Sequence, residues 1–100
     1  MMKNKVLIKL IVPEIDFFFD LFVPTNEILW KVKKMIIKSI NDLTGDSLDS
    51  TKEYVLINKT TGQIYSENIT IYNSEIRNAS ELILIQEKKE SSSSSISLIY

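Results

Sequence analysis

The residues best placed to do chemistry in this sequence are two aspartates, Asp16 and Asp20, four positions apart in the run IDFFFDLFV. On one face of a strand, such a pair of carboxylates could hold a divalent cation or share general acid and base roles. No histidine or cysteine accompanies them. This removes thiolate nucleophiles, the usual zinc ligands and the side chain whose unperturbed pKa lies nearest neutrality. The chain offers no nucleophile–base pair, and its only glycines, Gly45 and Gly62, form no phosphate-cradling loop. The aspartates therefore read as the solvent side of an alternating strand. No catalytic residue, cofactor or metal is expected.

The elements around them follow from periodicity. KVLIKLIV (5–12) is apolar and β-branched, with Val6, Ile8, Leu10 and Val12 on one period-2 face and Leu7, Lys9 and Ile11 on the other. Pro13-Glu14 signals a turn. In the next run Ile15, Phe17, Phe19, Leu21 and Val23 alternate with Asp16, Phe18, Asp20 and Phe22, which completes a hairpin. PTNEILWKVKKMIIKSINDLTG then has the pattern of a helix. Leu29, Val32, Ile36, Ile40 and Leu43 recur at spacings of 3, 4, 4 and 3, one stripe along a single helix face. Thr25 or Asn26 is the expected side-chain N-cap, and Gly45 the left-handed C-cap. Lys31, Lys33, Lys34 and Lys38 read as a solvated flank rather than a docking surface. Trp30 lies about a quarter turn off the stripe, either packed under the polar loop 46–52 or partly exposed as a partner anchor.

Beyond that loop, EYVLIN (53–58) reads as a strand, KTTG as a tight turn and QIY (63–65) as a short partner strand. Residues 66–80 show no sustained period and suggest a loop with one helical turn near Ile69 to Tyr72. ELILI (81–85), apolar on both faces, has the character of a central strand. A hairpin followed by one helix buries the helix stripe only by laying it across the sheet. The last strand then returns beside the first, parallel to it and central. From Gln86 onward the composition changes to QEKKESSSSSISLIY. The expected division is a folded domain over 1–86 and a flexible serine-rich tail over 87–100. Within the tail, ISLIY either docks on the sheet or frays.

The chain has 100 residues, 25% charged and 44% hydrophobic, with net charge −1. That suits one soluble domain and supplies no basic excess for nucleic acid. Charges at Lys9, Glu14, Asp16 and Asp20 interrupt the apolar start, so neither a signal peptide nor a membrane span is expected and a cytoplasmic location is the default.

The whole plan resembles ubiquitin and its β-grasp relatives over about residues 5 to 85. VPTNEILWKVKKMI is similar to the end of the second strand, cap and helix, and YVLINKTTGQIY to the strand–turn–short-strand segment. ITIYNSEIRNASELILI is similar to the closing motif, here Ile69, Tyr72, Ile76, Leu82 and Leu84. The motif carries an additional residue between Tyr72 and Ile76, and Asn78-Ala79-Ser80 replaces the usual Gly-Asp pair. The implied class is α+β: a ubiquitin-like β-grasp with a mixed four- to five-stranded sheet and one main helix across it. Within that superfamily the chain most resembles the EsaB/YukD proteins, freestanding accessory components of the bacterial type VII (WXG100) secretion system. The sequence ends Leu98-Ile99-Tyr100 rather than in the Gly-Gly required for conjugation.

The resemblance implies a non-enzymatic adaptor whose partners are cytoplasmic domains of the secretion membrane machinery. Such an adaptor would sit at the inner face of the membrane only through a protein. The expected docking surface is the sheet face away from the helix. With Val55, Ile57, Leu82 and Leu84 facing the helix, Leu56, Ile83 and Ile85 face outward and Leu7 and Ile11 extend the patch. The alternatives are a face covered by ISLIY or by the other copy of a homodimer, or a ubiquitin-like modifier or recognition domain of another pathway.

Overall fold

The computed structural model of the protein describes residues 4–87. The ISLIY segment lies outside them. Four strands and one main helix follow the order β1 (Lys5–Val12), β2 (Phe17–Pro24), α1 (Leu29–Thr44), β3 (Tyr54–Asn58) and β4 (Ser80–Gln86), with a 3₁₀ turn at Pro13–Ile15. The sheet order is β2-β1-β4-β3. β1 and β4 are parallel, with Leu10 opposite Leu82, and the other two pairings are antiparallel. This is the mixed sheet with a single helix across it that the apolar patterns require. The anticipated QIY strand contracts to one bridge, Ile57 with Ile64.

β1 and β4 are central, each with a strand paired on either side, so their apolar side chains have cross-strand neighbours on both flanks. Ile8, Leu10, Val12, Leu82 and Leu84 are fully buried beneath α1. On the helix, Leu29, Val32, Ile36 and Ile40 meet them, each at most 3% exposed. Leu43 does not join this stripe and is 69% exposed. By that point the helix has passed the sheet, and Leu48 from the following loop fills the space. The Asn41 side chain pins this loop, accepting from the Leu48 amide at 2.8 Å and donating to its carbonyl at 3.1 Å. Thr51 hydrogen-bonds the Asp49 carboxylate in the same loop and holds it below the usual carboxylate range.

Asp16 lies in the turn rather than on a strand. Its φ of 59° is left-handed, a region that aspartate tolerates better than most residues, and its amide donates to the Pro13 carbonyl. The two aspartates therefore do not share a strand face. Among the described residues no cluster of acidic side chains is placed to hold a metal, and no helix is long and apolar enough to cross a membrane.

The helix start also differs from expectation. Ile28, not Thr25 or Asn26, is the N-cap, and no side chain caps it. The amides of Leu29 and Trp30 instead donate to the carbonyls of Ile69 and Glu67. Further bonds run from the Ile71 amide to Glu27 and from the Tyr72 amide to Thr25. Orphan helix donors need an acceptor, and here a distant backbone segment supplies it. Thr70 bridges Ile28, and the chain then turns through residues 71–73, the Asn73 and Ser74 amides donating to the Thr70 carbonyl, which leaves Ile71 buried and Tyr72 73% exposed. Of the closing motif, Leu82 and Leu84 face the helix as expected and Ile76 is buried with them; Ile71 is buried rather than Ile69, and Tyr72 stays outside. The C-cap is as expected, with Gly45 left-handed at φ 75°.

Candidate functional site: the outer sheet face

Alternation along the strands leaves one sheet face uncovered by the helix. Strand register arranges that face in rows running across all four strands. One row is apolar: Phe18 pairs with Ile11, Ile11 with Ile83 and Ile83 with Ile57. Ile64, 60% exposed, prolongs it past the sheet edge through its bridge to Ile57. Two residues along each strand, roughly 7 Å away, the next row is charged. Asp20 pairs with Lys9 and Lys9 with Glu81, and the Lys59 ammonium reaches the Glu81 carboxylate at 3.2 Å. Beyond these rows lie the pairs Leu7–Phe22 and Val55–Ile85. A shallow groove lined by Lys9, Ile11, Phe18, Asp20, Lys59 and Glu81 runs between the rows. Phe18 is 76% exposed at the edge of the face, on an edge strand paired only to β1.

Several solved structures share this fold. A chain of the MycP5-free ESX-5 inner membrane complex superposes with TM-score 0.73 at 11% identity over 86% of this chain. This sequence spans 22% of that much longer chain. The EccD5 ubiquitin-like domain from Mycobacterium xenopi gives 0.72 at 11% identity, covering 85% of this chain and 97% of that domain. The ubiquitin-like domain of the Mycobacterium tuberculosis type VII secretion protein EccD1 gives 0.64 at 10% identity, covering 81% and 97%. The fold is ubiquitin-like. No family model matches the sequence, and no curated protein does.

On this ubiquitin-like frame Leu7, Ile83 and Ile85 face outward, half-buried among their neighbours. Leu56 does not. It is 3% exposed and lies opposite the fully buried Leu84. The antiparallel register puts Tyr54 and Leu56 under the helix and turns Val55 and Ile57 outward, the reverse of the expected parity. A one-residue change of phase moves every side chain of a strand to the other face. EYVLIN is apolar on both faces and cannot choose between them. The pairing with β4 decides, and contacts at the two ends of the strand fit it. The Tyr54 ring is buried, its hydroxyl accepting from the Asp49 amide, and burial pushes the phenol pKa above its ordinary 10.0. At the other end, Asn58 caps the 59–62 turn by accepting from the amides of Thr60 and Thr61. Leu56→Ser is accordingly expected to cost about 2–5 kcal/mol, as large-to-small core changes do. Ile57→Ser is expected to cost about 1 kcal/mol. Urea melts of the two variants check the parity directly.

The helix side offers a second concavity. It lies between α1 and the 50–54 segment and is lined by Trp30, Lys34, Ile37, Lys38, Lys52 and Tyr54. Trp30 is 38% exposed there, with the Lys31 and Lys34 ammonium groups 6.0 and 5.6 Å from its ring. Charges of both signs surround this groove, and its floor is occupied by structural contacts. Lys33, expected on the solvated flank, is 7% exposed. Its ammonium donates to the Tyr54 carbonyl and the Glu67 carboxylate. Its spacing of four from Leu29 was the signal that it shares the buried stripe; the charge concealed it.

The two sheet edges differ. On β3 the Tyr54 carbonyl accepts from Lys33, the Leu56 carbonyl from the Tyr65 amide, and Asn58 donates to Gln63. Residues 63–65 and one lysine thus cover this edge, which blunts it against unwanted pairing.

Proposed function

We propose that this chain is a non-enzymatic accessory or adaptor protein of a type VII secretion system, of the EsaB/YukD kind. It docks through the outer sheet face onto cytoplasmic domains of the secretion membrane components. The observation that carries the reading is the apolar row Phe18–Ile11–Ile83–Ile57 on the sheet face turned away from the helix, with Phe18 exposed and the three isoleucines half-buried. A contiguous apolar patch on an open sheet face marks an interaction surface. The likeness to ubiquitin-like domains from the ESX-5 complex and from EccD1 supports the choice of secretion machinery as partner. The residues assigned to docking are Leu7, Ile11, Phe18, Ile57, Ile83 and Ile85. The chain acts at the inner face of the membrane through its partner. Recognition without conjugation in another pathway is the competing use of the same face. Finding genes for WXG100 substrates and an FtsK-like ATPase beside this one would favour secretion.

Ile11→Ser/Ile83→Ser should leave a cooperative fold, lowered by about 1–2 kcal/mol for two half-buried sites. In the native host it should abolish both secretion and photocrosslinking from position 57 to a membrane component of the apparatus. Normal secretion at wild-type abundance would sink the reading.

A further inference from the structure

The outer face carries a pattern that docking to an unrelated partner does not require. In sheet order β2-β1-β4-β3 the charged row reads Asp20, Lys9, Glu81, Lys59, alternating negative and positive. A row of four alternating charges reverses sign when its order is reversed. Rotation by 180° about an axis parallel to the strands, between β1 and β4, performs that reversal. β2 of one copy then faces β3 of the other, and β1 faces β4.

We propose that the outer face pairs with the same face of a second copy of this chain about that axis. Asp20 then lies opposite Lys59 of the second copy and Lys9 opposite its Glu81, each twice by symmetry. The apolar row meets itself in the same operation: Ile11 against Ile83 and Phe18 against Ile57. A twofold axis perpendicular to the strands leaves the row in its own order: set along the charged row it brings like charge against like, and moved to lie between the rows it lays the charges on the apolar row, so the charges favour the first dimer. Isologous contacts are self-complementary in this sense, and sheets stack face to face about 10 Å apart with strands aligned to within about 30°. This inference rests on the outer face being the interaction surface, as proposed above, and names a second copy as an occupant. The footprint is small, four strands about 4.8 Å apart and only five residues long at β3. The association is therefore expected to be weak, with Kd on the order of 10–100 μM.

Sedimentation velocity of the full chain from about 5 μM to 1 mM tests the pairing across that expected range. The wild type should pass from monomer to dimer. Lys9→Glu sets two acids face to face and Glu81→Lys two lysines, so each variant alone should associate at least about tenfold more weakly. An equimolar mixture of the two restores both contacts and should recover wild-type association to within about threefold. Neither a loss of fold nor a change of surface hydrophobicity makes two inactive variants rescue each other. If Lys9→Glu lacks a cooperative melt, Asp20→Lys mixed with Lys59→Asp asks the same question at the outer contacts. A wild type that stays monomeric to 1 mM, variants that dimerise normally, or a mixture that fails to recover would each overturn the proposal. Loss of secretion in Ile11→Ser/Ile83→Ser alongside a monomeric wild type would leave the docking function standing and the self-pairing refuted.

Discussion

Val32→Asp is expected to abolish the cooperative thermal transition of the domain, whereas Leu43→Asp on the same helix should melt within about 0.5 kcal/mol of wild type. Val32 is 1% exposed, in a core built from Leu29, Ile36, Ile40 and the inner faces of β1 and β4. No buried side-chain polar atom there lacks a partner, so a new carboxylate finds no donor waiting for it. Burying it unpaired costs several kcal/mol, whether it stays ionised or takes up a proton. A domain of this size is stable by about 5–15 kcal/mol. Leu43 falls on the same sequence stripe yet is 69% exposed, so an aspartate at that position stays solvated. Circular dichroism melts of the pair test the helix register and the point at which α1 leaves the sheet. A cooperative, barely shifted melt for Val32→Asp, or unfolding of Leu43→Asp, would refute the placement.

Lys33→Ala is expected to lower stability by about 2–4 kcal/mol, a large effect for a lysine. The substitution removes the packed aliphatic stem and a charged donor to the Tyr54 carbonyl at the β3 edge. It also frees Glu67, whose backbone carbonyl caps the Trp30 amide at the start of α1. Lys33→Met keeps the stem and should lose only about 1–2 kcal/mol. Glu67→Ala should lose about 1–2 kcal/mol. The Glu67 side chain is 48% exposed, and water can take its place on the ammonium. Because the two side chains act on one contact, Lys33→Met/Glu67→Ala should cost less than the sum of the singles. Urea denaturation of the four proteins measures this. Lys33→Ala within about 0.5 kcal/mol of wild type would show that the lysine is a bystander.

Periodicity alone determined the elements of this protein. Strict alternation in 5–12 and 15–23, the 3.6-residue stripe through Leu29, Val32, Ile36 and Ile40, and a last strand apolar on both faces leave few ways to bury every apolar face. One helix across a mixed sheet with β1 and β4 central is the simplest, and it is the one found. Composition likewise removed histidine- and cysteine-based chemistry. Tertiary structure decided what local pattern leaves degenerate. Leu56 and Ile57 are equally apolar, so parity on β3 waited on the burial of Tyr54 beneath the helix and the register with β4, which sets Leu56 opposite Leu84. Thr25 and Asn26 had the chemistry of an N-cap, yet carbonyls some forty residues away in sequence took the role, because they arrive already held by the fold. Lys33 stood at a core spacing with a solvent residue's charge, and only the carbonyl and carboxylate brought to it by β3 and the 66–70 segment make that position habitable. The rows of the outer face exist in no single segment. Phe18, Ile11, Ile83 and Ile57 come from four strands, and a parallel pairing between residues over seventy positions apart sets them in line, because register is a property of strand pairs and not of a strand.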